Sequence, residues 1–213
     1  LFTNFKNKKQ MTKNAKFFRE AAWSQLTGKW QPAVIFSLVY TVIALVINYV
    51  GTKNDIISFL SMLLLYPLQY GAAVAFLGFK RTGVDVKIGD MFVGFNDYGR
   101  VFMTILLQTL YIVLWSLLLV VPGIIKAISY SQTIYILKDN PELKFNGAIE
   151  RSMAMMEGHK MEAFLLGISF IGWLLLGVLT LGIGMLWVTP YMSTAYAHFY
   201  DYVKEDYERR IAA

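Results

Sequence analysis

Cysteine is absent from this chain, which excludes disulfides, thiolate metal sites and cysteine nucleophiles. Histidine is scarce: only His159 and His198 occur, neither with a second histidine at ligand spacing, so no metal site is expected. Charge is scarce as well. Of 213 residues, 16% are charged and 56% hydrophobic, too little charge for a soluble domain of this length. No phosphate-cradling Gly-Lys-Ser/Thr loop is present, and Gly182–Ile183–Gly184 reads as a turn rather than a nucleotide motif. The carboxylates fall mostly in connecting and terminal segments, and no pair of them assigns acid and base roles. These absences point away from an enzyme and away from a cofactor.

What the chain does have is long apolar blocks. A helix needs about 20 apolar residues to cross a hydrocarbon core of about 30 Å. By that measure there are six blocks, at residues 31–50, 56–79, 101–121, 122–137, 161–179 and 182–200. The breaks within pairs are tight, at residues 51–55, at Val121–Pro122–Gly123 and at Thr180–Leu181–Gly182. Proline cannot continue the backbone ladder and glycine tolerates turn dihedrals, so these read as hairpin tips. The fold class expected is all-α: a polytopic membrane protein with six transmembrane helices in three hairpins. The domain organisation expected is a basic segment at 1–29 with an amphipathic helix, then a six-helix membrane domain at 30–213.

Lysine and arginine set the orientation. Seven lie in residues 1–29, four in 80–100, four in 138–160 and three after Tyr200, against only Lys53 and Lys126 at the tips. Both termini and both long connections are therefore expected on the cytoplasmic side. The basic start resembles a signal n-region, but its first apolar block is a full span and should stay in the membrane. The sequence begins at Leu1, which leaves room for an upstream residue or a start at Met11. Beside a span, the basic residues are expected to meet anionic lipid and not nucleic acid.

Each hairpin is preceded by a short amphipathic stretch. Ala15, Phe18, Ala22 and Leu26 fall at helical spacing, as do Ile88, Met91, Phe92 and Phe95, and then Phe145, Ile149, Ser152 and Met156. Each stretch ends in glycine and basic residues: Gly28–Lys29–Trp30, Gly99–Arg100–Val101 and Gly158–His159–Lys160. The second helices share polar and aromatic residues: Tyr66, Pro67, Gln69 and Tyr70; Tyr130, Ser131, Thr133 and Tyr135; Pro190, Tyr191, Thr194 and Tyr196. Three copies of one unit, at 15–80, 85–138 and 141–201, account for the pattern. Ordinary hairpin proteins with interfacial aromatics account for it too. Parallel repeats can enclose a pathway where they meet.

Lys126 is the one charge placed within a span. A charge in hydrocarbon costs about 3 kcal/mol or more. Lying about 6 Å from the Pro122 tip, Lys126 either snorkels to the interface or serves a cavity or a headgroup phosphate. Ser129, Tyr130, Ser131 and Thr133, with Gln69, Gln108, Tyr111 and Tyr191, either line a polar pathway or bond the helices together at about 0.6 kcal/mol each.

Further marks carry a resemblance. They are Arg19 with Leu26–Thr27–Gly28–Lys29–Trp30, Asp90–Met91–Phe92–Val93–Gly94–Phe95, and Pro122–Gly123–Ile124–Ile125 leading to Tyr130–Ser131 and Tyr135–Ile136–Leu137. Asn140–Pro141, Met155–Met156–Glu157–Gly158, Ser169–Phe170–Ile171–Gly172–Trp173, Leu179–Thr180–Leu181–Gly182, Pro190–Tyr191 and Phe199–Tyr200–Asp201 complete the set. Together they resemble the bacterial membrane family called domain of unknown function 975, over nearly the whole chain after residue 15. That family is distantly similar to the membrane portion of some glycerophosphodiester phosphodiesterases, whose catalysis sits in a separate soluble domain. The resemblance implies the bacterial cytoplasmic membrane and transfers no catalytic residue. Two kinds of function are expected from the residues: a non-enzymatic membrane protein that handles a lipid-like or small amphipathic molecule or supports envelope transport, or a scaffold or regulatory subunit binding another membrane protein. For the second, the amphipathic helices and Met153, Met155 and Met156 would form the surface, although core packing explains those methionines equally. An intramembrane enzyme is the weakest reading, since no nucleophile–base constellation is visible.

Overall fold

The computed structural model describes residues 13–52 and 54–212. Lys6, Lys8, Lys9, Met11 and the tip residue Lys53 lie outside the described residues. Among those described, the fold is all-α, with ten α-helices, one 3-10 helix and no strand. The first hairpin pairs α2 (Trp30–Gly51) with α3 (Asp55–Thr82). The second pairs α4 (Tyr98–Leu118) with α5 (Val120–Tyr130), continued by α6 (Thr133–Asp139). The third runs from α8 (Lys160–Ile168) and α9 (Ile171–Leu179) into α10 (Met185–Ala212). Five helical segments are long and apolar enough to cross a membrane: Trp30–Gly51, Asp55–Thr82, Tyr98–Leu118, Val120–Asp139 and Lys160–Leu179.

The sixth expected span is the exception. It lies in α10, whose composition is too polar to mark it as a span. It is also among the most enclosed elements, with Tyr191, Thr194, Ala195, Ala197, Phe199 and Tyr200 all buried, packed against α1 (Ala15–Leu26), α2, α3 and α9. A helix surrounded by protein has no need of an apolar exterior, and this removes the hydropathy signal. The helix also continues through the charged segment after Tyr200, which sequence reading treats as a tail.

Other boundaries move for local reasons. The second tip falls at Leu119, which is extended (φ −158°, ψ 140°), so Pro122 and Gly123 sit inside the first turn of α5. Proline is tolerated there because a first-turn N–H has no helical partner to lose. The third tip lies where expected, with Leu181 and Gly182 left-handed (φ 54° and 88°). Two spans are interrupted, at Ser131–Gln132 and at Ser169–Phe170.

All three amphipathic stretches fold as short helices, and their apolar faces are turned onto protein. Asn14 caps α1 by accepting the Phe17 N–H at 3.0 Å, and Phe18, Ala22 and Leu26 are buried. In α7 (Asn146–Met155), Ala148, Ile149, Ser152 and Met155 are buried, as is Met156 just beyond. The middle stretch is a 3-10 helix, Ile88–Phe95, which buries Met91 and Gly94. Ile88, Phe92 and Phe145, expected on the packed faces, are instead exposed. A 3-10 helix turns every three residues, so Phe92 falls off the side that carries the buried Met91 and Gly94.

The packing has a cyclic order. α1 lies along α10, the 3-10 helix lies on α3, and α7 lies on α5 and α6. Each short helix thus seats on the second long helix of the hairpin before it, the first closing back onto the third.

Candidate functional site

Lys126 stands on α5 between α4 and α7. Its Nζ lies 4.9 Å from the Trp115 ring centroid and 5.9 Å from that of Tyr130, and 3.8 Å from the Met153 sulfur. Among the described residues no carboxylate pairs with it. Tyr130 meets Tyr111 at 6.4 Å between centroids. Gln108, Tyr111 and Trp115 fall on one stripe of α4 at spacings of three and four, and the Gln108 Oε1 is buried with no hydrogen-bond donor among the described residues.

The polar run that follows holds the break in its span together. The Ser129 hydroxyl donates to the Ile125 carbonyl at 2.7 Å, and the Thr133 hydroxyl to that of Tyr130 at 2.7 Å. Ser152, fully buried on α7, donates to the Ser129 carbonyl at 2.8 Å and accepts the Gln132 N–H at 3.2 Å. The carbonyl and N–H freed by the break are thus satisfied by a side chain from another element. Ser131 accepts from Gln132 Nε2 at 2.8 Å. Ser129, Ser131 and Thr133 therefore act within the backbone joint, while Lys126 and Tyr130 face the aromatic side of α4.

The remaining expected site residues lie elsewhere, and no single groove gathers the set. Gln69 is exposed on α3 and lines a small cavity of about 190 Å³ with Ser37, Tyr40, Thr189 and Ser193. Tyr191 lines a different cavity among tryptophans.

The most extensive ion-pair network among the described residues joins groups that sequence reasoning left apart. At the ends of α3 and α6 and along α10, Arg81 donates to both oxygens of Asp139 at 2.7 Å and to Asp201 at 2.6 Å. Lys80 pairs with Asp201, Lys204 donates to Asp139 at 2.7 Å, and the Tyr200 hydroxyl donates to Asp139 at 2.9 Å. Asp139 is only 8% exposed, so it depends on these donors. Burial alone would raise the pKa of Asp201, but hydrogen bonds from Arg81 and Lys80 outweigh it and hold its carboxyl below the usual range. One hairpin contributes Lys80 and Arg81, another Asp139, and the third Asp201 and Lys204. The only sequence signal was charge at the end of each second helix.

His159, in the turn before α8, is a buried clamp, with its ring nitrogens 2.8 Å from Glu162 and 3.0 Å from Asp206. His198 is bonded to Gln25 of α1 at 2.8 Å.

Among curated proteins and solved structures, no relative matches the chain. A family model does match, over residues 11–129 and again over 117–207, and that family is described as a protein of unknown function, DUF975. With nearly every described residue covered, the chain belongs to the DUF975 family.

Proposed function

We propose that this protein is a six-span, non-enzymatic component of the bacterial cytoplasmic membrane that binds a lipid-like anionic amphiphile beside Lys126. In this reading both termini and both long connections are cytoplasmic, and the three hairpins with their short helices are copies of one unit. The cyclic seating of the short helices supports the repeat. So does the recurrence of a left-handed glycine at the same place after α1 and α7, Gly28 (φ 82°) and Gly158 (φ 85°). The 18-to-2 partition of lysine and arginine supports the orientation.

The observation that carries the binding role is the environment of Lys126: a partly buried ammonium cradled by two aromatic rings and a thioether, with no carboxylate partner among the described residues. Cation–π contacts contribute about 0.5–2 kcal/mol, less than the cost of a bare charge in hydrocarbon. An anionic headgroup supplies the difference. A ligand role is also favoured over a partner-binding role because the apolar faces of α1 and α7, with Met155 and Met156, are already covered by the protein itself.

Native mass spectrometry of the detergent-released protein, titrated with phosphatidylglycerol, tests this. Charge-assisted hydrogen bonds contribute about 1.5–3 kcal/mol, so Lys126→Ala should weaken binding about tenfold or more. Lys126→Arg should keep most of it, and thermal stability should change little in either variant. Undiminished binding by a folded Lys126→Ala protein removes the ligand role.

A further inference from the structure

Four of the five tryptophans converge on one cavity. α1 brings Trp23, α2 opens with Trp30, α9 contributes Trp173, and α10 contributes Trp187 with Val188 and Tyr191. The cavity is about 430 Å³. Its rings are neighbours: Trp23 lies 5.2 Å from Trp30, 6.1 Å from Trp173 and 5.6 Å from Tyr191. A membrane-interface belt scatters its aromatics around a protein, whereas these come from four helices to a single place.

The hydrogen-bonding character of the pocket is one-sided. An indole N–H only donates. Among the described residues none of these four indoles has an acceptor, and the Tyr191 hydroxyl has no partner. Arg19, one turn before Trp23 on α1, donates from one guanidinium nitrogen to the Ser169 carbonyl at 3.2 Å. Its Nε is buried and lacks an acceptor among the described residues. Phe170, next to Ser169, packs edge-on against Tyr191 at 5.1 Å, which sets the guanidinium at the margin of the aromatic cluster. The site thus offers donors, a fixed positive charge and apolar ring surface, and the one carboxylate near Tyr191, that of Glu20, is paired with Lys16 at 3.6 Å. A quaternary ammonium would suit the rings but would be opposed by Arg19.

We propose that this pocket holds the phosphate-and-ester region of an anionic glycerolipid. The phosphate oxygens accept from Arg19, the ester and remaining phosphate oxygens accept from the indoles and Tyr191, and the first methylenes lie on the ring faces. The site is separate from Lys126, whose neighbouring tryptophan is Trp115.

The test uses protein labelled with 5-fluorotryptophan in phosphatidylcholine nanodiscs, its five fluorine resonances assigned by single Trp→Phe changes. With phosphatidylglycerol, the Trp23, Trp30, Trp173 and Trp187 resonances should shift saturably. With soluble glycerol phosphate they should need at least tenfold more. Arg19→Gln should weaken the response about tenfold, as expected for loss of a charge-assisted bond, and Arg19→Lys should restore part of it. If Arg19→Gln fails to fold, Trp173→Phe, which keeps a ring but removes a donor, should give a smaller loss in the same direction. An equal response to glycerol phosphate overturns the lipid as occupant. A response to tetramethylammonium without one to phosphatidylglycerol overturns the anionic class, and no shift of the four overturns the site. A shift of Trp115 alone supports the Lys126 site while overturning this one. A shift of the other four without Trp115 does the reverse.

Discussion

Arg81 meets carboxylates 58 and 120 residues further along the chain, and no window of sequence relates them. Hydropathy reading sees a charge at the end of each second helix but not which charges pair, because that depends on how the hairpins are arranged. The consequence is testable through pH. Asp201 has a folded-state pKa below the ordinary carboxylate value, as does Asp206, where bonds from His159 and the field of Arg210 outweigh burial. A carboxyl depressed on folding contributes stability that is fully present above its unfolded value, about 4. That stability is lost as pH falls through the folded value. These two carboxyls should therefore make the melting temperature of the detergent-solubilised protein fall as pH drops below about 4. Asp201→Asn should melt lower at neutral pH and lose less on acidification. An unchanged slope in that variant would show that Asp201 does not carry the effect.

At the scale of elements, much was legible: α2, α3 and α4 start and stop within three residues of the apolar blocks, and the short amphipathic helices lie where periodicity puts them. Three things were not. The break at Ser131–Gln132 is stabilised by Ser152 of α7, a partner remote in sequence. The sixth expected span falls in α10, which is too polar to stand among the five segments apolar enough to cross a membrane, and its enclosure by other helices cannot be seen in composition. The 3-10 geometry of Ile88–Phe95 follows from close seating on α3, where glycine is required on both sides. A Cβ at Gly71 would run into the Met91 carbonyl, and one at Gly94 into that of Pro67. Backbone cannot move aside as a side chain does, so Gly71→Ala should cost about 3 kcal/mol, near the upper end for overpacking. Gly78→Ala, on the same helix with open space around it, should be neutral or slightly stabilising, since alanine is the better helix former. Thermal melts of the two variants compare them directly, and equal losses would contradict the close approach.

The molecule as a whole combines an apolar exterior with a strongly partitioned set of cations. Leu181, 94% exposed, and Leu117, Leu118 and Leu119 project from two of the hairpin tips, while Lys87 and Lys144 are exposed on the long connections. That partition was readable from the sequence. What was not readable is that the polar residues of the second helices divide among three separate places, since facing direction in a bundle is set by helix rotation and not by composition. Because the chain has no cysteine, its placement in the membrane can be measured with single introduced thiols. Intact cells carrying Leu181→Cys, Lys87→Cys or Lys144→Cys are exposed to a membrane-impermeant maleimide, before and after permeabilisation. Leu181→Cys should label in intact cells, and Lys87→Cys and Lys144→Cys only once the membrane is opened. Labelling of either lysine position from outside, or of all three alike, would contradict a six-span protein with its basic connections in the cytoplasm.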